Sequence, residues 1–176
     1  MRADAVAAVV RWVTGTPPGY LALAAVASVA ALASALVMQY GFGLPPCDLC
    51  IEQRWGFAGA GTLAAVGLLV HRIGVSRRAV VAAVGMAFLV TAGLGFRHVG
   101  VEQQWWPGPD TCTATGADAR TTDELLDAIM NAPLVRCDEI PASLLGLSIA
   151  GWVVVSALAL AALAALVFVR SRGAAP

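Results

Sequence analysis

The sequence predicts an all-α membrane protein: a four transmembrane helix bundle with two outer loops, the second containing a short interfacial helix. Three observations lead there. The chain is 59% hydrophobic and only 12% charged, where a soluble domain is about a quarter charged. Four apolar runs each reach 18 residues or more, enough to cross a hydrocarbon core of about 30 Å at about 1.5 Å per residue. The arginines are also sorted between alternate connections, as membrane topology requires. A soluble bundle is excluded because its helices would need polar faces, and these runs have none.

The first run spans roughly residues 20–38. Ala33-Ser34-Ala35 resembles a signal-peptidase site, but an apolar stretch of 19 residues is longer than the usual 7–15 of a signal peptide. Retained, it is the first span. The second run, 51–70, is charged only in its first turn, at Glu52 and Arg54. The third covers 79–96 and the fourth 144–169, so residues 1–176 read as a single membrane domain.

All 11 basic residues are arginine. The N-terminal segment, the link between runs two and three, and the tail together hold seven arginines and one acid, Asp4. The remaining connections hold four arginines and ten acids. The positive-inside rule puts the first group, with both termini, in the cytoplasm. The loops at about 39–50 and 97–143 then face outward, carrying all four cysteines: Cys47, Cys50, Cys112 and Cys137. That compartment permits disulfides. The arginines occur in ones and twos, with no basic stripe, so nucleic acid is not an expected partner.

The second loop is too long for a simple connector. Trp105 and Trp106 suit a membrane–water interface. Thr121 and Glu124 stand at capping-box spacing, and Leu125, Leu126, Ile129 and Met130 give one apolar face before Pro133. This predicts a short helix, either flat on the bilayer or packed on its own loop.

Chemistry concentrates in PPCDLCIEQR, residues 45–54. The two prolines end any upstream helix, so a new one can start at the cysteines. A helix N-terminus carries partial positive charge and unpaired N–H groups, which lower a thiol's pKa. Arg54 follows Cys50 by four residues and Cys47 by seven, on one helical face. Cys50 is therefore expected to favour the thiolate. A structural disulfide over so short a loop would constrain the unfolded chain little. Zinc is not expected, because 24 residues separate Cys112 from Cys137 and no second close pair completes a site. On its own, Arg54 could simply extend to the interface. A Cys112–Cys137 bridge would stabilise by roughly 3–4 kcal/mol, or serve as an exchangeable disulfide within reach of a soluble dithiol protein. Four cysteines allow three connectivities, and the spacing does not choose among them.

These residues resemble the DsbB family of bacterial membrane thiol oxidases. The likeness rests on Pro46-Cys47-Asp48-Leu49-Cys50 with Gln53-Arg54, on His98 to Cys112, and on Arg136-Cys137-Asp138-Glu139 leading to Leu145-Gly146-Leu147-Ser148. It covers about residues 20–169. The resemblance implies a monomer in the bacterial inner membrane that re-oxidises a DsbA-like periplasmic thioredoxin-fold protein and passes two electrons to a quinone, ubiquinone or menaquinone. It implies that Cys112 forms the mixed disulfide with the partner and that Cys137 exchanges with Cys47. It places Cys50 beside the quinone and gives Arg54 the task of positioning it. His98, with Glu102 and Gln103, is expected near the quinone level as a secondary contact. The vitamin K epoxide reductase family would carry its Cys-x-x-Cys on the last span, and the fourth run here has no cysteine. A non-enzymatic scaffold with two structural disulfides is the alternative, and it leaves the arrangement of Cys47, Cys50 and Arg54 without a purpose.

Overall fold

A bilayer offers backbone N–H and C=O groups no water, so apolar segments of this length satisfy them internally as helices. The computed structural model describes residues 2–69, 75–109, 121–123, 126 and 136–171. Helix α1 runs Arg2–Gly15 and α2 runs Pro17–Leu36. Thr16 separates them, and its hydroxyl accepts from the Gly19 N–H at 3.2 Å. Prolines at the first two positions of α2 lack only N–H groups that the helix would leave unpaired. The last turn of α2 widens into a π-helical turn, Val37–Gly41. Helix α3 runs Asp48–Leu69 and α4 runs Arg77–Glu102. Strands β1 (Ser143–Leu144) and β2 (Leu147–Ser148) pair antiparallel, and α5 runs Ile149–Arg170.

Among the described residues, three helical stretches are long and apolar enough to cross a membrane: Pro17–Gly41, Arg77–Glu102 and Ile149–Arg170. Helix α3 has 22 residues but carries Glu52, Gln53 and Arg54 in its first two turns. Three features depart from the expected boundaries. The arginine-bearing N-terminal segment is itself helical, as α1. Helix α4 extends to Glu102, past the expected end at residue 96, and so carries His98 on a helix rather than in a loop. The fourth run does not begin as helix at 144: Leu145 and Gly146 both have positive φ, 53° and 81°, and form the two-residue turn of the small hairpin. Ser148 then caps α5 by accepting from the Gly151 N–H at 3.1 Å. The helix expected from Thr121 lies largely outside the described residues.

Small residues let the helices approach closely, as membrane packing favours. The core contains Ala60, Ala64, Ala92, Ala157, Ala161 and Ala164 beside Tyr20, Phe57, Val84 and Phe88. Phe57 and Phe88 meet edge to face at 6.1 Å between centroids. Tyr20 donates to the Leu160 carbonyl at 3.2 Å, tying α2 to α5. A Cβ on Gly85 would stand 2.7 Å from the Cβ of Ala164, so α4 and α5 cross where only glycine fits.

The two ends of the bundle differ in charge. At one end Arg170 donates to the Thr14 carbonyl at 3.2 Å, and Arg78 lies 4.6 Å over the Phe168 ring. At the other end are the described cysteines and an Arg97–Glu52 ion pair of 2.7 Å between α4 and α3. The arginine clusters and the cysteines are thus at opposite ends, the separation that the charge pattern predicts.

Candidate functional site

Cys47 takes the N-cap position of α3: its carbonyl accepts from the Ile51 N–H at 3.1 Å and its sulfur from the Cys50 N–H at 3.4 Å. Serine or aspartate usually fills this role with a side-chain oxygen. The first turn of α3 swings Cys50 back, so the two sulfurs lie 3.1 Å apart with the Cys47 thiol donating to Cys50. Cys47 is 3% exposed and Cys50 is half-buried.

Three further residues converge on this pair. His98, from α4, places Nε2 3.7 Å from the Cys47 sulfur and is 4% exposed. Its Nδ1 meets the Gln53 side-chain amide at 2.8 Å. Glu102, one turn further along α4, has Oε1 3.9 Å from His98 Nε2, and Ser148 donates to its other oxygen at 2.5 Å. A buried polar chain therefore runs from Cys47 through His98 to Glu102 and the cap of α5.

Cys137 packs on the same cluster, against Cys47, Leu49 and Val101, as does Cys50. The Leu49 N–H, another donor left over at the start of α3, serves the Cys137 sulfur. Beside Cys137, Arg136 clamps Asp138 with bonds of 3.0 and 2.6 Å and reaches Glu139 at 3.6 Å. That guanidinium holds the exposed Asp138 carboxyl below its ordinary range. Cys112 lies outside the described residues.

Electrostatics divides the three thiols. Donation from Cys47 lowers the Cys50 thiol, against burial, and the Arg54 charge adds a smaller pull. The same bond to Cys50, with burial, pushes Cys47 up to about 12 despite His98. Burial pushes Cys137 up to about 11, with the Leu49 N–H opposing. The main influence on Cys50 is thus its partner thiol rather than the arginine.

Arg54 turns toward α2. Its guanidinium donates to Gln39 Oε1 at 2.5 Å and to the Ala35 carbonyl at 3.3 Å. The π-helical turn carries Gln39, and such turns often accompany function. Ile51 and the largely exposed Trp55 form the neighbouring row of α3. Trp105 and Trp106 meet the Phe96 ring at tilted angles, 5.8 and 5.9 Å between centroids, an aromatic group at the end of α4 that fits an interfacial anchor.

Sequence reasoning placed Gln103 near the site, but this residue is exposed just beyond α4. Gln53, 4% exposed against His98, and Gln39 are the glutamines that touch functional side chains. The available signal for Gln53 was an amide three residues after Cys50, one turn into an otherwise apolar helix. Nothing in the sequence marked Gln39.

The family profile described as disulfide bond formation protein DsbB matches residues 18–167. The chain belongs to this family. A disulfide bond formation protein B from an Acidovorax species is 31% identical over 172 residues, covering 94% of this chain and 95% of the relative. Proteins of the same description from Verminephrobacter eiseniae and Saccharophagus degradans are 33% identical over 148 residues and 31% identical over 140. They cover 80% and 77% of this chain, and 80% and 82% of their own lengths. No solved structure matches the chain significantly. Membership makes this a membrane protein of disulfide bond formation, and the apolar helices agree.

Proposed function

We propose that the protein is a dithiol:quinone oxidoreductase of the bacterial inner membrane, with α3 as a fourth span, both termini in the cytoplasm and the cysteines in the periplasm. The observation that carries this reading is the convergence of Cys47, Cys50 and Cys137 on the first turn of α3, with Arg54 one turn along the helix from Cys50.

A reduced DsbA-like thioredoxin-fold protein attacks Cys112 of a Cys112–Cys137 disulfide, and Cys137 leaves. The partner's second thiol displaces Cys112, so the partner departs as a disulfide and its two electrons stay on Cys112 and Cys137. Cys137 then attacks Cys47 of a Cys47–Cys50 disulfide, and Cys50 leaves. A thiol held low is the better leaving group, which suits Cys50. Cys112 attacks Cys137 of the new link, Cys47 leaves, and the electron pair rests on Cys47 and Cys50. Within 3.7 Å of Cys47, His98 is placed to hold and return the thiol proton. Its burial against the thiol favours this role over direct quinone contact.

The structure has residues suited to a quinone beside Cys50. Arg54 and Cys50 form one row of α3, and the apolar Ile51–Trp55 row adjoins it. A guanidinium has five donors, and Gln39 and Ala35 engage it from one side. A bound quinone supplies a lipid-soluble acceptor for two electrons and two protons. Arg54 would hold and orient it, a fixed cation and donor for its carbonyl oxygen. An acceptor of this kind is required because the DsbA-type disulfide is itself a strong oxidant, at about −120 mV, so re-forming it from the dithiol needs an acceptor of higher potential.

The test is quinone reduction by the purified protein in detergent, driven by a reduced DsbA-like dithiol. Turnover should vanish in Cys50→Ser and fall roughly a hundredfold in kcat/KM for quinone in Arg54→Gln. Absence of turnover with both ubiquinone and menaquinone, in folded protein with four cysteines, would leave the scaffold with structural disulfides.

A further inference from the structure

Cysteine spacing offers no second close pair to complete a metal site, but a fold can bring ligands from other elements. In the structure His98 supplies one from α4. The two sulfurs of Cys47 and Cys50 and a ring nitrogen of His98 all lie within 4.8 Å of one another. Cys137 packs on the same cluster and brings a third sulfur. Three cysteines and one histidine form a common structural zinc set.

We propose that the fully reduced protein binds one thiophilic divalent ion of the zinc type through Cys47, Cys50 and His98, with Cys137 as the fourth ligand. Zn–S bonds of about 2.3 Å and Zn–N bonds of about 2.0 Å space tetrahedral ligand atoms roughly 3.5–3.8 Å apart. The Cys47–His98 separation is 3.7 Å, and the Cys47–Cys50 separation is 3.1 Å. To take up a metal the thiol pair must open, by a rotation of the half-buried Cys50 side chain, and the Cys137 sulfur, packed beside the group, must swing in as the fourth ligand. The surroundings also suit a metal-bound histidine. Gln53 meets Nδ1 at 2.8 Å, and its amide turned half a rotation presents oxygen to an Nδ1–H. That arrangement frees Nε2 to ligate, as partners behind metal-bound histidines commonly do. The Glu102 carboxyl, 3.9 Å from Nε2, lies beside the ligating nitrogen.

The metal requires thiolates, so a Cys47–Cys50 disulfide cannot bind it. Binding releases the thiol protons and moves no electrons. Metal and oxidant therefore compete for the same sulfurs, and bound metal holds the protein in its dithiol form and stalls its turnover. The site is the one proposed for oxidoreduction, but its metal affinity does not depend on that activity.

Cobalt(II) is the probe. Full-length protein in detergent, reduced by a phosphine, is titrated with cobalt and followed by absorption. Thiolate-to-cobalt charge transfer with tetrahedral visible bands should saturate at one ion per chain and disappear when zinc is added. Cys112→Ser should keep the signal, whereas His98→Gln and Cys137→Ser should each weaken binding about tenfold or more. Oxidised protein should be silent. Helical circular dichroism checks that each variant is folded. No charge-transfer band with four free thiols present would overturn the proposal, as would a band lost in Cys112→Ser or indifferent to His98→Gln. Unchanged binding in Cys137→Ser would overturn the fourth ligand. Quinone reduction in metal-free buffer, on the same preparation, tests the oxidoreductase reading separately.

Discussion

Cys47 and Cys50 are neighbours on one turn, and their roles are set by which of them gives the shared proton. Cys47, buried at the N-cap, holds it and is pushed up to about 12, while Cys50 receives it and is lowered. A lowered thiol carries thiolate at lower pH, so in reduced protein Cys50 should be alkylated by iodoacetamide first. Its rate should level off below the ordinary thiol range, whereas Cys47 and Cys137 should still be accelerating above pH 9. Mass spectrometry of quenched samples across pH measures this directly; equal rates for Cys47 and Cys50 would contradict it. Removing the acceptor should release Cys47: in Cys50→Ala its apparent pKa falls back toward the ordinary value, since the bond that raised it most is gone. In the proposed mechanism Gln39 acts through Arg54, whose guanidinium donates to it. Gln39→Ala removes one charge-assisted bond, worth about 1.5 kcal/mol, and should raise KM for quinone about tenfold with kcat less affected.

The first turn of α3 does most of the work at the scale of elements. Its spare N–H groups face two sulfurs that the proposed relay must exchange, those of Cys47 and Cys137. The prolines before it and the helix after it were readable in PPCDLCIEQR, because capping and breaking are local rules. What was not readable is how far α4 runs. Its apolar signal fades at residue 96, but the helix continues on tertiary contacts, with Trp106 donating to the Arg97 carbonyl at 3.0 Å and Gly100 making room for the Trp106 ring. Those extra turns bring His98 and Glu102 into the site, so their importance depends on packing that sequence period does not record. The hairpin before α5 was missed for a similar reason: its apolar leucines look like a helix, and only the positive φ at Leu145 and Gly146 breaks the run. Close helix packing also yields a stability prediction. Gly85→Leu forces a side chain into Ala164 and should destabilise the bundle by about 1–3 kcal/mol, read as a lower midpoint in thermal or detergent unfolding. An unchanged midpoint would mean that α4 and α5 do not cross there.

Across the whole molecule, arginine placement and apolar length were enough to give the opposed ends of the bundle. Both are bulk properties that the bilayer reads directly. The meeting of the two loops was beyond them: spacing left three cysteine connectivities open, and it is the packing of Cys137 on Cys47 that joins the second loop to the first. On the proposed topology, a membrane-impermeant maleimide added to intact spheroplasts should label a single cysteine at Gln103, and one at Ser76 should react only after lysis. In the proposed function the two cysteine pairs form one relay through Cys137 and Cys47. It is tested most directly by mild oxidation of the reduced Cys50→Ser/Cys112→Ser protein, followed by peptide mapping under non-reducing conditions. A Cys47–Cys137 disulfide should form in nearly every folded chain, within the monomer at any dilution. Free thiols at both positions, or only intermolecular bridges, would contradict it.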